Sequence, residues 1–163
     1  MPTAAERLPH VDEHSLEIAA TPAAVWPALS RVAEGSFGSP ATGRVARLLG
    51  CADVEPSGPR PLGAGSTFPG FHVEAARPGR VLALAGSHRF SDYALIFHLD
   101  DLGGERTLLR AETRATFPGL EGAAYRTLVI RTRGHVLVTR RLLAAVKRRA
   151  ERIGTVAGGS ALE

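Results

Sequence analysis

The stretch at positions 120–152 constrains this chain more than any other. It contains no proline and no turn cluster, only Gly122 and Gly134. At about 100° per residue, Tyr125, Leu128, Val129, Thr132, His135, Val136, Thr139, Leu142, Leu143, Val146 and Ala150 fall within a wedge of roughly 140°. The pattern predicts one amphipathic helix of about 30 residues, near 45 Å long. Such a helix needs an equally long apolar surface to bury its stripe, and the preceding segments supply one. Residues 71–76, 81–87, 93–100 and 107–117 alternate as strands and are divided by the turn sequences RPGR, HRFSD and DLGGE, which predicts an antiparallel meander. Phe71, Val73, Ala75, Leu82, Leu84, Tyr93, Leu95, Phe97, Leu99, Leu109, Ala111, Thr113, Ala115 and Phe117 keep one parity and are expected to share a face. Arg110, Glu112 and Arg114 then point the other way.

The N-terminal half reads as strand then helices. Residues 11–20 alternate Leu16 and Ile18 against Ser15 and Glu17 and stop at Thr21-Pro22. Thr21 suits a helix N-cap and Pro22 the first helical position, where a missing N–H costs nothing. Val25, Trp26, Leu29 and Val32 follow at helical spacing, which makes Trp26 a core anchor. Residues 34–40 read as a loop and 42–49 as a second short helix; residues 51–70, rich in Gly and Pro, suggest a strand, a long turn and another strand. Residues 1–10 read as a flexible N-terminus, 11–152 as a single domain and 153–163 as a flexible C-terminal tail.

A length of 163 residues allows one domain of ordinary size, and 44% hydrophobic with 22% charged residues gives it a core rather than a disordered or membrane character. The single cysteine, Cys51, rules out an intramolecular disulfide. No apolar run approaches the roughly 20 residues of a membrane span, and MPTAAERLPHVDEH lacks the apolar stretch of a signal peptide, so a cytoplasmic location is expected. The formal net charge of +4 is local in origin: Arg126, Arg131, Arg133, Arg140, Arg141, Lys147, Arg148, Arg149 and Arg152 face only Glu151 in residues 126–152. Such a run is ordinarily a solvated helix face. Without interleaved aromatics it argues against nucleic acid, while Ile130 and Leu137 among the arginines leave room for transient contact with an anionic membrane.

Two stretches resemble a known group. LEIAATPAAVWPALS is similar to the strand-then-"ASPEEVWAAL" opening of the START-like superfamily, also called the SRPBCC, polyketide cyclase/dehydrase or Bet v 1-like group. DYALIFHLDDLGGERTLLRAETRA resembles its paired late strands with their glycine turn. LRAETRATFPGLEGAAYRTLVIRTRGH is similar to a bacterial branch of that superfamily, a likeness that implies no particular chemistry. The resemblance covers residues 11–152 and implies an α+β helix-grip fold: a curved antiparallel sheet wrapped around a long C-terminal helix, with two short helices after the first strand. It also implies an apolar cavity between helix and sheet for a small hydrophobic molecule such as a lipid or polyketide. The superfamily has no shared catalytic motif, so no family residue is carried over as catalytic.

Tyr93, Phe97, Tyr125, Thr132, His135, Val136 and Thr139 are the residues expected to line that cavity. His135 is the candidate general base, since an imidazole near neutrality suits proton transfer, and Tyr125 the candidate partner for a carbonyl oxygen; the alternative for His135 is a structural histidine at the helix flank, and for Tyr125 a core side chain with a satisfied hydroxyl. The binding reading makes the protein a carrier or sensor. A cyclase or dehydratase using the same cavity is the rival, and an interaction module with a filled core the third; the oligomeric state stays open. No cofactor is called for. His72, His88 and His98 do not make a metal site, because strand parity sends His72 and His98 outward and His88 sits at a turn, while His10 and His14 near the N-terminus carry no argument. Cys51 beside Asp53 and Glu55 lacks the electropositive setting of a reactive thiol, no serine lies in a G-x-S-x-G elbow, and GAGSTFPG lacks the Lys-Ser/Thr ending of a phosphate loop.

Overall fold

The computed structural model describes residues 1–159. Six strands, β1 (His10–Ile18), β2 (Thr67–Phe68), β3 (Phe71–Arg77), β4 (Val81–His88), β5 (Ser91–Gly103) and β6 (Arg106–Thr116), form one sheet. They pair antiparallel throughout in the order β1-β6-β5-β4-β3-β2, so the meander closes with the first strand against the last. Two helices, α2 (Pro22–Phe37) and α3 (Pro40–Leu49), follow β1, after a short α1 (Ala4–Arg7). Thr21 Oγ1 accepts from the Ala24 amide and caps α2 as anticipated; Ser39 does the same for α3 through the Thr42 amide. The loop expected over 34–40 shrinks to Gly38 and Ser39, because α2 runs on through Phe37. Of the two strands expected in 51–70, only the two-residue β2 forms.

The single long helix is in fact two, α4 (Gly119–Thr132) and α5 (Gly134–Gly159). They part at Arg133, which takes a left-handed conformation with φ 49°. The break lets α5 stay on β1, β6 and α2 while α4 turns toward the hairpin between β4 and β5, where Tyr125 meets His88 and Phe90. Residues 153–159 continue α5 where a tail was expected, and positions 160–163 lie outside the described residues.

The core sits in the concave face. Leu142, Leu143, Val146 and Ala150 of α5 pack with Val25, Ala28, Leu29 and Ala33 of α2 and with Leu82, Leu84, Phe97, Leu109 and Ala111 of the sheet. Each large side chain buried there contributes about 1.5–3 kcal/mol. Trp26 packs against this cluster from its edge, half-buried. The parity reading fails at one point. A bulge between Val73 and Ala75 shifts β3 by one residue, so Ala75 joins the convex face and Ala76 the core. That convex face is not bare: Ala5 and Leu8 cover Ala83, Ala94 and Ile96, and the Glu74 carboxylate accepts from the Ala4 and Ala5 amides at 2.8 Å each. Residues 1–10, expected to be a flexible end, therefore hold a capped helical turn and the start of β1.

Candidate functional site

A cavity of about 480 Å³ lies beyond the packed core, at the end of the sheet that carries the β4–β5 hairpin. Its walls are mostly apolar: Phe37 from α2, Val45, Ala46 and Leu49 from α3, Phe71, Leu95, Ala115 and Phe117 from the sheet side, Val129 from α4 and Val138 from α5. The space exists because α4 swings away at Arg133 while the facing sheet residues, Thr113 and Ala115, are small. Val45 and Val138 line the cavity yet stay about half exposed, 55% and 53%, which marks them as its rim. At the opposite end of the sheet a second hollow of about 960 Å³ mixes polar groups such as Arg80, His98 and Asp101 with Trp26, Val81 and Leu99.

Four of the seven anticipated lining residues, Tyr93, Tyr125, His135 and Thr139, border this cavity, and three do not. Phe97 is fully buried two residues deeper along β5, in the core beneath α5. Thr132 ends α4 with its hydroxyl donating to the Val129 carbonyl, and its side chain is exposed. Val136, at the edge of the α5 stripe, is half-buried and does not reach the cavity.

Tyr93, Tyr125 and His88 form an aromatic corner. The His88 ring lies 5.3 Å from that of Tyr93 and 5.0 Å from that of Tyr125, and Phe71 meets Tyr93 edge-on at 5.3 Å. The Tyr93 hydroxyl donates to the Gly70 carbonyl at 2.6 Å and lies 3.8 Å from Cys51 Sγ, so it is committed to the protein. Burial, and then Cys51, push that phenol far above its usual range, so it stays neutral. Gly86 makes the close packing achievable: a Cβ there would meet the Gly70 oxygen at 2.1 Å and the Tyr93 ring at 2.7 Å. Tyr125, whose hydroxyl has no hydrogen-bond partner among the described residues, is also raised by burial and by Cys51. His88 moves down through burial, partly opposed by Asp92, and its Nδ1 accepts from the Phe90 amide, which makes it a neutral Nε2–H imidazole.

The sequence offered His135 no partner, and the fold supplies one. Asp12 and His14 share the inward face of β1 with Leu16 and Ile18, in unbroken register with β6 from Asp12 to Ile18, and this points Asp12 toward α5. Asp12 Oδ2 is 2.9 Å from His135 Nε2 and 3.3 Å from His14 Nε2. A carboxylate bonded to Nε2 fixes the ring's orientation and tautomer and leaves Nδ1 as the nitrogen able to accept a proton. His14, set aside on sequence, is thus part of this cluster. Alternation with Leu16 and Ile18 already puts Asp12 and His14 on the inward face of β1; what spacing does not show is that α5 brings His135 to them across 121 residues. His72 pairs with Asp53 and His98 faces Glu112, so the histidines that might have suggested a metal stand at separate places.

A curved antiparallel sheet gripping a C-terminal helix, with two helices after the first strand and a ligand-sized cavity at one end, defines the helix-grip fold of the START-like, or SRPBCC, proteins. Solved structures of the same fold include the Zhui aromatase/cyclase of Streptomyces sp. R1128, at 18% identity and TM-score 0.54 over 90% of this chain and 95% of that one. A norcoclaurine synthase point mutant of Thalictrum flavum, solved with a transition-state analogue, matches at 13% and 0.58 over 88% and 94%. A polyketide-cyclase-like protein of Corynebacterium glutamicum matches at 18% and 0.54 over 86% and 90%. At these identities the likeness establishes the fold and leaves the chemistry to the site. The sequence matches no family model and no curated protein.

Proposed function

We propose that the protein binds a small hydrophobic molecule, such as a lipid or polyketide, in the cavity between α3, α4, α5 and the sheet, as a carrier or sensor. The observation that carries this reading is the cavity itself: about 480 Å³, within the usual 300–1,000 Å³ of small-molecule sites, apolar along its walls with a few polar groups among them. Its volume argues against an interaction module built on a filled core. The test is titration with N-phenyl-1-naphthylamine, whose fluorescence rises in apolar surroundings. Saturable binding is expected, weakened at least about tenfold by filling the cavity with Ala115→Trp or by narrowing its rim with Val138→Trp. Binding unchanged in both folded variants overturns the reading.

A second reading, a cyclase or dehydratase in the same cavity, is favoured by one observation, the Asp12–His135 contact. In it His135 moves a proton on a substrate held by the apolar walls, and Tyr125, with its free hydroxyl, holds a carbonyl oxygen. Two of the structural neighbours are named as an aromatase/cyclase and a synthase, which is compatible with this reading. Turnover lost in His135→Ala with binding retained supports an enzyme; unchanged turnover removes His135 as its base.

Exchange of cargo with an anionic membrane extends the first reading. Exposed Leu128 and Val138 stand among Arg126, Arg131 and Arg141, none of which has an acidic partner among the described residues.

A further inference from the structure

One wall of the cavity is backed by polar atoms that the protein leaves unpaired. Asp12 and Thr113 are cross-strand partners on β1 and β6, which puts their side chains side by side on the concave face. His135 reaches the same place from α5, 2.9 Å from Asp12 Oδ2. The remaining polar atoms of all three, Asp12 Oδ1, Thr113 Oγ1 and His135 Nδ1, are buried and have no hydrogen-bond partner. Proteins rarely bury even one such group without a partner, and three at one place call for an occupant. Thr113 and His135 both line the cavity.

Resting on the cavity-binding reading, we propose that this wall receives a hydroxyl group carried by an aromatic ligand, in effect a phenol. The donor and acceptor roles select that group. Asp12 Oδ2 faces Nε2 of both His135 and His14, and a carboxylate accepts only, so both rings carry their hydrogen on Nε2. Nδ1 of a neutral His135 is then a lone pair, Asp12 Oδ1 is a second acceptor, and Thr113 can donate. A hydroxyl gives its one hydrogen to His135 Nδ1 or Asp12 Oδ1 and accepts the hydrogen of Thr113, so it pairs two of the three atoms at once. A ligand carboxylate would meet the Asp12 charge. An ammonium would lose its hydration in an apolar cavity whose carboxylate already faces two imidazoles. A plain hydrocarbon would leave the three atoms unpaired. The body of the ligand follows from the walls, where the rings of Phe37, Phe71, Phe117 and Tyr125 suit a flat aromatic.

The test compares ligands of one shape, naphthalene, 2-naphthol and 2-naphthylmethylamine, by calorimetric titration of the whole protein at neutral pH. The expected order places 2-naphthol at least about tenfold tighter than naphthalene, the gain of a hydrogen bond made in a dry site. Thr113→Val, which keeps the shape and removes the hydroxyl, and His135→Phe each bring the ratio of 2-naphthol to naphthalene affinity toward one, whatever their effect on naphthalene itself. The ¹⁵N resonance of His135 Nδ1 moves with 2-naphthol and not with naphthalene. Equal binding of naphthol and naphthalene, or a preference that survives both variants, overturns the hydroxyl subsite and leaves the cavity reading standing. Tighter binding of the amine than of the naphthol overturns it in favour of a cation. If none of the three binds, the cavity reading fails and the subsite with it.

Discussion

Single residues decide which groups at the cavity are free to meet a ligand. Tyr93 is the instructive case: its phenol is spent on the Gly70 carbonyl, so of the two tyrosines only Tyr125 has a hydroxyl to offer. His88 is fixed as a neutral ring against Tyr93 and Tyr125, and this has a pH consequence. Its folded pKa lies below its ordinary 6.5, so between the two values the unfolded chain binds more protons than the folded one. The stability His88 confers is therefore complete above about pH 6.5 and is lost as the pH falls toward the folded value. Thermal melts from about pH 7.5 to about 5.5 should show a decline in Tm that is shallower in His88→Asn. Parallel declines in the two proteins would show that the ring's burial contributes nothing.

At the scale of elements, the helices and strands beside the cavity are shaped by local departures from regularity. Arg133 takes a backbone conformation that costs a residue with a Cβ about 1 kcal/mol or more, and glycine little. Arg133→Gly should raise stability by about 0.5 kcal/mol after its added unfolded-state entropy, and Arg133→Val should lower it by about 1 kcal/mol, read from urea midpoints. No difference between the two variants would mean that the break is not strained. These departures also explain what could be read in the sequence. The meander, the capped helix after Thr21 and the apolar stripe of α5 follow from periodicity and cap chemistry, which act over a few residues. The break at Arg133 and the bulge that sends Ala75 outward leave no periodic trace, because each is imposed by packing against distant elements. The pairing of His135 with Asp12 depends on strand register across the whole chain.

The whole molecule joins two properties that its composition shows only as averages. Most of its few aromatic residues gather at the cavity end, where Phe37, Phe71, Phe117, Tyr93 and Tyr125 share one hollow, while Phe97 lies in the packed core and Trp26 toward the opposite end. Its basic excess lies on α4 and α5, beside an apolar rim. Vesicles containing phosphatidylglycerol should therefore bind the protein, vesicles of phosphatidylcholine alone should not, and about 0.5 M salt should release it. Binding that ignores both lipid charge and salt would exclude the arginine face as the contact. The central claim, a cavity that holds a hydrophobic molecule, is tested most directly by native mass spectrometry of the protein purified from its own host beside its Ala115→Trp variant. The native chain should carry a small molecule in one-to-one ratio that the variant lacks. A native chain with nothing bound, or the same adduct on both proteins, would contradict the claim.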